Sequence, residues 1–261
     1  MVGGHGIVAA VSDPSSTFGT RASTGSEPSL DGRQPPVHLR QAIVALLAVF
    51  VAEVALLGGY LLLVKSTVLR PPGPAQTAAL LGAATVLAAA VLYWLLVRRG
   101  GLTVQQLGFV RPTWRLLHLL WQAPLAILAS AAVGALVLWL TSGSTVRRGQ
   151  DAAFADFASA GPAVVLAALV VGVVATPLWE EALFRGAFYL GFARLAGPVG
   201  AVIGSAAVFA GFHFVPALWA FLFPLGLCLG WLRWFHRNLW ASVAVHALNN
   251  LLAMAAVLLP R

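Results

Sequence analysis

The chain of 261 residues is 60% hydrophobic and only 9% charged, whereas soluble domains average roughly 25% charged residues. This composition excludes an ordinary water-soluble globule and indicates an integral membrane protein. The formal net charge of +8 comes from basic residues that stand singly or in pairs near the ends of apolar runs, so the sequence does not predict a nucleic-acid-binding protein.

The chain begins with a polar segment and continues with apolar runs. Residues 1–37 are rich in Ser, Gly, Pro and Thr and predict a disordered cytoplasmic tail. The apolar runs that follow are mostly long enough to cross ~30 Å of hydrocarbon. They cover approximately residues 41–64, 75–97, 117–141, 163–190, 199–214, 216–235 and 239–259. The sequence therefore predicts an all-α polytopic membrane bundle of about seven helices, with a range of roughly six to eight because the fourth run can continue to Leu195.

The distribution of basic residues predicts how the chain lies in the membrane. If the N-terminus is cytoplasmic, most arginines fall on the inner side, which is the arrangement expected for a multi-pass protein of the plasma membrane. A single lysine, Lys65, against fifteen arginines hints at a GC-rich bacterial genome. Small residues spaced four apart, at Gly200 and Gly204 and again at Gly226 and Gly230, predict close approach of the fifth and sixth helices.

Three ionisable residues interrupt the fourth apolar run, in the sequence WEEALFRG. Each acidic or basic side chain at mid-helix costs ~2.5 to 3.5 kcal/mol on insertion, so Glu180, Glu181 and Arg185 together indicate a functional site. Residues four apart share a helix face, which predicts an ion pair between Glu181 and Arg185. Glu180 points about 100° away, without that partner. Desolvation makes a carboxylate a stronger base, so Glu180 is the candidate general base.

Two histidines lie within later apolar runs. His213 follows Phe209 by one helical turn, and His246 precedes Asn250 by one turn. Counted from the inner membrane surface, Glu180 and His213 lie ~22 Å and ~21 Å deep, whereas His246 reaches only ~10 Å. The last helix must therefore tilt or begin deeper if these residues are to meet. His118 and His236 fall at span ends, where solvated or interfacial histidines are common.

These residue types fit two hydrolytic sites. In one, Glu180 and His213 activate water while His246 and Asn250 donate hydrogen bonds to an oxyanion. In the other, Glu180, His213 and His246 ligate a zinc ion that carries the water. The residues alone leave both sites open, and no cofactor other than zinc is indicated.

Three motifs follow one another on successive hydrophobic segments: Glu180-Glu181-x-x-x-Arg185, Phe209-x-x-x-His213 and His246-x-x-x-Asn250. In this order they resemble the motifs of the CPBP family of intramembrane proteases. The family includes CAAX prenyl endopeptidases and bacterial bacteriocin-processing or abortive-infection proteins, and the match covers residues 161–259. The resemblance implies a metallo- or glutamate-type endopeptidase in which Glu180 and His213 activate water and His246 and Asn250 stabilise the oxyanion. The expected partners are the lipid bilayer and a transmembrane or membrane-tethered peptide substrate. On this basis residues 38–160 form about three N-terminal membrane helices, and residues 161–261 form the catalytic core.

Two other classes of function remain as alternatives. A non-catalytic peptide-binding or immunity protein would use the same pocket without cleaving its ligand. A transporter is a weaker alternative, since it rests on Glu53, an isolated acidic residue in the first helix. We expect Glu53 to reach the interface or to bond to Gln122 or another span, and Gln122 itself to join helices.

Overall fold

The computed structural model describes residues 37–66, 73–141 and 161–258. The predicted tail therefore lies outside the described residues, except for Val37. The described segments are helical and contain no strand, which confirms the all-α polytopic bundle and the expected number of helices, seven.

The N-terminal part contains three long helices and a short inner segment. Helix α1 is Leu39–Lys65, and α2, Pro74–Leu92, continues as the π-helix π1, Tyr93–Arg99. A one-turn helix α3, Val104–Leu107, follows, and the 3₁₀ turn Trp114–His118 leads into α4, Leu119–Thr141. These helices expose large apolar side chains, among them Leu62 (69% exposed) and Leu120 (83%), as expected for surfaces in contact with lipid.

The C-terminal part begins with one long, interrupted helix. Its consecutive segments are α5 (Pro162–Leu169), π2 (Val170–Ala175), α6 (Thr176–Glu181), π3 (Ala182–Phe188) and α7 (Tyr189–Phe212). Within α7, Ala196 and Gly197 leave the helical conformation, and Gly197 has a φ of 66°, before Pro198 restarts the helix. The helix of the fourth apolar run thus continues to Leu195, which is one of the two possibilities that the sequence left open. Two further helices, α8 (Pro216–His236) and α9 (Trp240–Leu258), complete the chain.

By length and hydropathy, five helices of the described chain could cross a membrane, with Pro162–Phe212 counted as one, while Trp240–Ala256 is a shorter apolar helix.

Glycines allow α7 and α8 to pack closely. A Cβ atom at Gly226 would lie 3.0 Å from Cα of Ala206, and one at Gly230 would lie 3.3 Å from Cα of Val202. These short distances confirm the predicted close approach on the α8 side. The other predicted pair of glycines, in α7, instead faces side chains of its own helix.

The loop after π1 covers the start of α9. The Leu239 N–H donates to the carbonyl of Gly108 at 2.9 Å, and Leu239 is fully buried. Helix α9 therefore begins beneath this loop, and its residue His246 contacts both members of the acidic pair.

One expectation about the histidines was wrong. His236 is only 4% exposed, because α4 covers the end of α8 and the Gln122 Oε1 atom lies 2.7 Å from the His236 Nε2 atom. Gln122 does join two helices, as predicted, but its partner is His236 and not Glu53.

Candidate active site

The acidic pair lies where α6 gives way to π3, at the centre of the C-terminal helices. Glu180 is 7% exposed and Glu181 is fully buried. The side chains that follow in π3 are also buried, including Leu183 and Phe184. A π-helical turn contains an extra residue, displaces backbone carbonyls from the regular ladder and is frequent at functional sites. Here the polar groups of Glu181 and Arg185 contact α8 and α9 within an otherwise apolar core.

Arg185 balances the charge of Glu181. Its Nη1 donates to Oε1 of Glu181 at 2.9 Å, and both side chains are fully buried. Its Nη2 donates to the carbonyl of Gly226 on α8 at 3.2 Å, and its guanidinium carbon lies 4.4 Å from the centre of the Phe209 ring. The predicted ion pair is therefore present, and the arginine also ties π3 to α7 and α8.

His246 contacts both glutamates. Its Nδ1 lies 3.0 Å from Oε1 of Glu181, and its Nε2 lies 3.6 Å from Oε2 of Glu180. Because Glu181 is held as a carboxylate by Arg185 and can only accept, Nδ1 of His246 carries a proton. The other ring nitrogen, Nε2, is thereby directed towards Glu180, in a position to exchange a proton with it.

His213 lies just beyond the end of α7, where its ring is half-buried. Its Nδ1 lies 2.8 Å from the carbonyl of Phe209, which can only accept, so Nδ1 donates to it and Nε2 is the ring nitrogen left for another partner. The Phe209 ring lies between the two histidines, with its centre 4.8 Å from that of His213 and 5.6 Å from that of His246.

Asn250 is one turn beyond His246 on α9. Its Nδ2 donates to the carbonyl of Gly172 in π2 at 2.9 Å, and its Oδ1 accepts from Nδ2 of Asn249 at 3.3 Å. One N–H of the carboxamide is thus fixed by π2, and the second is left to serve another acceptor.

The structure thus brings Glu180, Glu181, Arg185 and His246 into direct contact, and it places His213 beside them across Phe209. Glu53, on α1, is half-buried.

The described side chains do not form a zinc site. No three His, Cys, Asp or Glu residues in the described parts of the chain are gathered closely enough to hold a metal ion. The Nδ1 bonds of His246 to Glu181 and of His213 to a backbone carbonyl leave Nε2 of each ring free, as in zinc-ligating histidines, so it is the missing gathering of three ligands among the described residues that excludes the site. The predicted ligand set of Glu180, His213 and His246 does not fit the metal in this arrangement.

Some of the residues that build the site were missed from the sequence. Arg233 on α8 is buried, and its Nε donates to the carbonyl of Arg185 at 3.2 Å. Gly172 and Gly226 contribute only backbone carbonyls. In the sequence, Arg233 lies near the end of an apolar run, where interfacial arginines are common. A backbone carbonyl acceptor cannot be recognised from the type of its side chain. Only the packing of the helices therefore reveals these residues.

Comparison with known proteins bears on the same region. Residues 162–252 match the model of a protein family described as Type II CAAX prenyl endopeptidase Rce1-like. This match confirms the resemblance to CPBP intramembrane proteases, and it spans α5 to α9 with every candidate site residue. Neither the curated proteins nor the solved structures contain a match to the chain. The family and the helical bundle support an intramembrane endopeptidase in general terms.

Proposed function

We propose that the protein hydrolyses a peptide bond in a membrane-associated substrate, with Glu180 as the general base and His213 as its partner in activating water. The observation that supports this most directly is that the two glutamates have different partners. Glu181 is paired with Arg185 at 2.9 Å, whereas Glu180 is only 7% exposed and has no arginine or lysine partner among the described residues; its Oε2 lies 3.6 Å from Nε2 of His246. A buried carboxylate in that state readily accepts a proton.

In the proposed reaction, these polar side chains activate a water and pass its proton to the leaving nitrogen. A water between Glu180 and Nε2 of His213 gives up a proton to Glu180, and its oxygen attacks the carbonyl carbon of the substrate. The tetrahedral intermediate carries an oxyanion. Its collapse breaks the C–N bond, and the proton held by Glu180 passes to the leaving nitrogen, which leaves a carboxylate and an amine.

His246 and Asn250 stabilise the oxyanion in this proposal. With Nδ1 anchored on Glu181, His246 turns Nε2 towards the reacting centre, where it donates to the oxyanion when it carries a proton. Asn250 contributes the N–H that is not bound to Gly172. Each such donor is worth about 10²–10³ in kcat in enzymes where it has been removed.

The substrate in this proposal is a transmembrane or membrane-tethered peptide, and the protein resides in the plasma membrane of a bacterium with its N-terminus in the cytoplasm. The arginine distribution supports the orientation. The scattered basic residues give no support to nucleic acid as a partner.

The test is cleavage of lipid-anchored peptides by the purified protein in liposomes, in water enriched in ¹⁸O. Wild type should release fragments with one ¹⁸O in each new carboxylate. Glu180→Gln and His213→Ala should each lower the rate by at least about 10²-fold, the lower end for loss of an acid–base group. His118→Ala, a histidine outside the site, serves as the matched control. An unchanged rate in either site variant would refute the assignment, and peptide that binds wild type but is always recovered intact would favour the non-catalytic binding protein.

A further inference from the structure

Arg233 on α8 is a buried cation without a carboxylate partner among the described residues. It is only 9% exposed, and its guanidinium carbon lies 5.6 Å from the centre of the Tyr189 ring. Its Nε donates to the carbonyl of Arg185 at 3.2 Å. Burying an unpaired charge is costly, so this arginine indicates a role that an apolar side chain could not fill.

Gly108 lies against the guanidinium of Arg233. It ends α3 with a φ of 117°, in the left-handed region that favours glycine. A Cβ atom at this position would lie 3.0 Å from Nη2 of Arg233 and 3.1 Å from its Cζ and Nε. The carbonyl of Gly108 accepts from the N–H of Leu239, the residue before α9, at 2.9 Å. One glycine therefore touches both Arg233 and the start of α9, and a larger residue in its place would displace the arginine.

The two neighbours of Gly108 contact π3 and α9. Leu107 is 4% exposed, and a Cβ atom at Gly186 in π3 would lie 3.2 Å from the Leu107 carbonyl oxygen. The ring of Phe109 packs edge to face on that of Trp240, the first residue of α9, with the ring centres 5.4 Å apart. Three successive residues thus touch π3, α8 and α9, although they precede all of these elements in the chain.

These contacts end on the two segments that bring the acidic pair and His246 together. The carbonyl that Arg233 binds belongs to Arg185, whose Nη1 donates to Glu181 at 2.9 Å. Leu239 leads into the helix that carries His246, and Nδ1 of His246 lies 3.0 Å from the same glutamate. A shift of π3 relative to α9 would therefore lengthen the bond between His246 and Glu181.

We propose that Arg233 is a positioning residue, and that with Gly108 it forms a latch that fixes π3 relative to α9 and so holds His246 on the acidic pair. The inference rests on the proposed protease function and adds a residue on which the same site depends. The latch acts through the Arg185 carbonyl and through Leu239, and neither of its two residues touches the substrate. Its loss should therefore lower kcat rather than raise KM, because a misplacement of about 1 Å can lower the rate about 10²-fold.

The first test reads the position of His246 without any substrate. In protein labelled with ¹⁵N-histidine, the ring signals of His246 are assigned by their absence from His246→Ala. Gly108→Ala pushes on the guanidinium of Arg233 and should shift the Nδ1 signal, which reports the bond to Glu181. Gly101→Ala is the matched control, because this glycine of the same loop also has a positive φ, 69°, but a Cβ there would meet no atom within 4 Å. It should leave the His246 signals at their wild-type positions.

The second test measures kcat and KM of the same variants with a lipid-anchored peptide in liposomes. Gly108→Ala and Arg233→Met should each lower kcat by roughly 10- to 100-fold with KM within about twofold of wild type, whereas Gly101→Ala should change neither. In the double variant the two losses should not multiply, because Gly108 acts through Arg233. Arg233→Lys keeps a cation that can donate to the Arg185 carbonyl, so it should recover part of the rate, and it guards against a misfolded Arg233→Met protein.

The two tests separate failure of the latch from failure of the protease function. A His246 Nδ1 signal that stays in place in Gly108→Ala and Arg233→Met, or that moves equally in Gly101→Ala, would overturn the latch while the protease function stands. Losses of kcat that multiply in the double variant would overturn it as well. Absence of cleavage by wild type would refute the protease function instead, and the His246 signals would still decide whether the latch holds this histidine.

Discussion

Arg185→Met tests whether the buried ion pair supports the candidate site. The substitution keeps a long apolar side chain but removes the partner of Glu181, which is fully buried. Breaking a buried pair by removing one member costs about 3–5 kcal/mol, because an uncompensated charge remains in a low-dielectric surrounding. The carbonyl of Gly226 also loses its donor, which costs about 1–3 kcal/mol where the carbonyl stays dry. Because the two losses share one side chain, they do not simply add, and we expect at least about 3 kcal/mol in all.

The assay is unfolding in mixed micelles by increasing SDS, followed by the fluorescence of the nine tryptophans. A loss of about 3 kcal/mol corresponds to roughly a hundredfold change in the unfolding equilibrium. The matched control is the double variant Glu181→Gln with Arg185→Met, in which no charge is left unpaired. It should recover at least about 1 kcal/mol of the loss, since an uncharged buried pair avoids most of the desolvation penalty.

The opposite result would refute the reasoning. If Arg185→Met unfolds within about 1 kcal/mol of wild type, the size of an exposed pair, then the Glu181 charge is solvated or neutral in the folded protein. If the double variant is no more stable than Arg185→Met alone, the arginine acts through its packing on Phe209 rather than through its charge.

Two further predictions concern the packing around the site. Gly226→Ala places a Cβ about 3.0 Å from the α7 backbone and should destabilise the protein by about 1–3 kcal/mol in the same assay, whereas Gly58→Ala, with open space around it, should be neutral or slightly stabilising. Gln122→Met leaves His236 buried without its partner at 2.7 Å and should lower the free energy of unfolding by about 1–3 kcal/mol. The measurement is the temperature at which the detergent-solubilised protein aggregates. A variant that aggregates at the same temperature as wild type would contradict this prediction.

The interrupted helix explains how the site can exist inside an apolar bundle. The carbonyls of Gly172 and Arg185 each lie in a π-helical segment, where the regular ladder of backbone bonds is disturbed. Each accepts a bond from another helix, from Asn250 and from Arg233 respectively. The π-helices thus supply polar anchors for site residues without adding polar side chains, which hydrocarbon would penalise.

The sequence by itself determined the class of protein and the candidate residues. Composition and run length were sufficient for a bundle of about seven helices, because every backbone polar group in hydrocarbon must be satisfied within a helix. Because burying a charge is costly, the sequence indicated Glu180, Glu181 and Arg185 as site residues. Helical periodicity predicted the ion pair between Glu181 and Arg185, and in the structure their charged atoms lie 2.9 Å apart. The order of the three motifs carried the resemblance to CPBP proteases, which the family match to residues 162–252 supports. The catalytic roles of individual residues stay predictions.

Tertiary structure decided which residues meet. Counting along α9 placed His246 too shallow, but the helix begins beneath the loop at Gly108, and His246 lies 3.0 Å from Glu181 and 3.6 Å from Glu180. The burial of His236 against Gln122 also arises between helices that are far apart in sequence. Periodicity reports which face of one helix is apolar, whereas depth, tilt and backbone acceptors depend on how that helix packs against its neighbours.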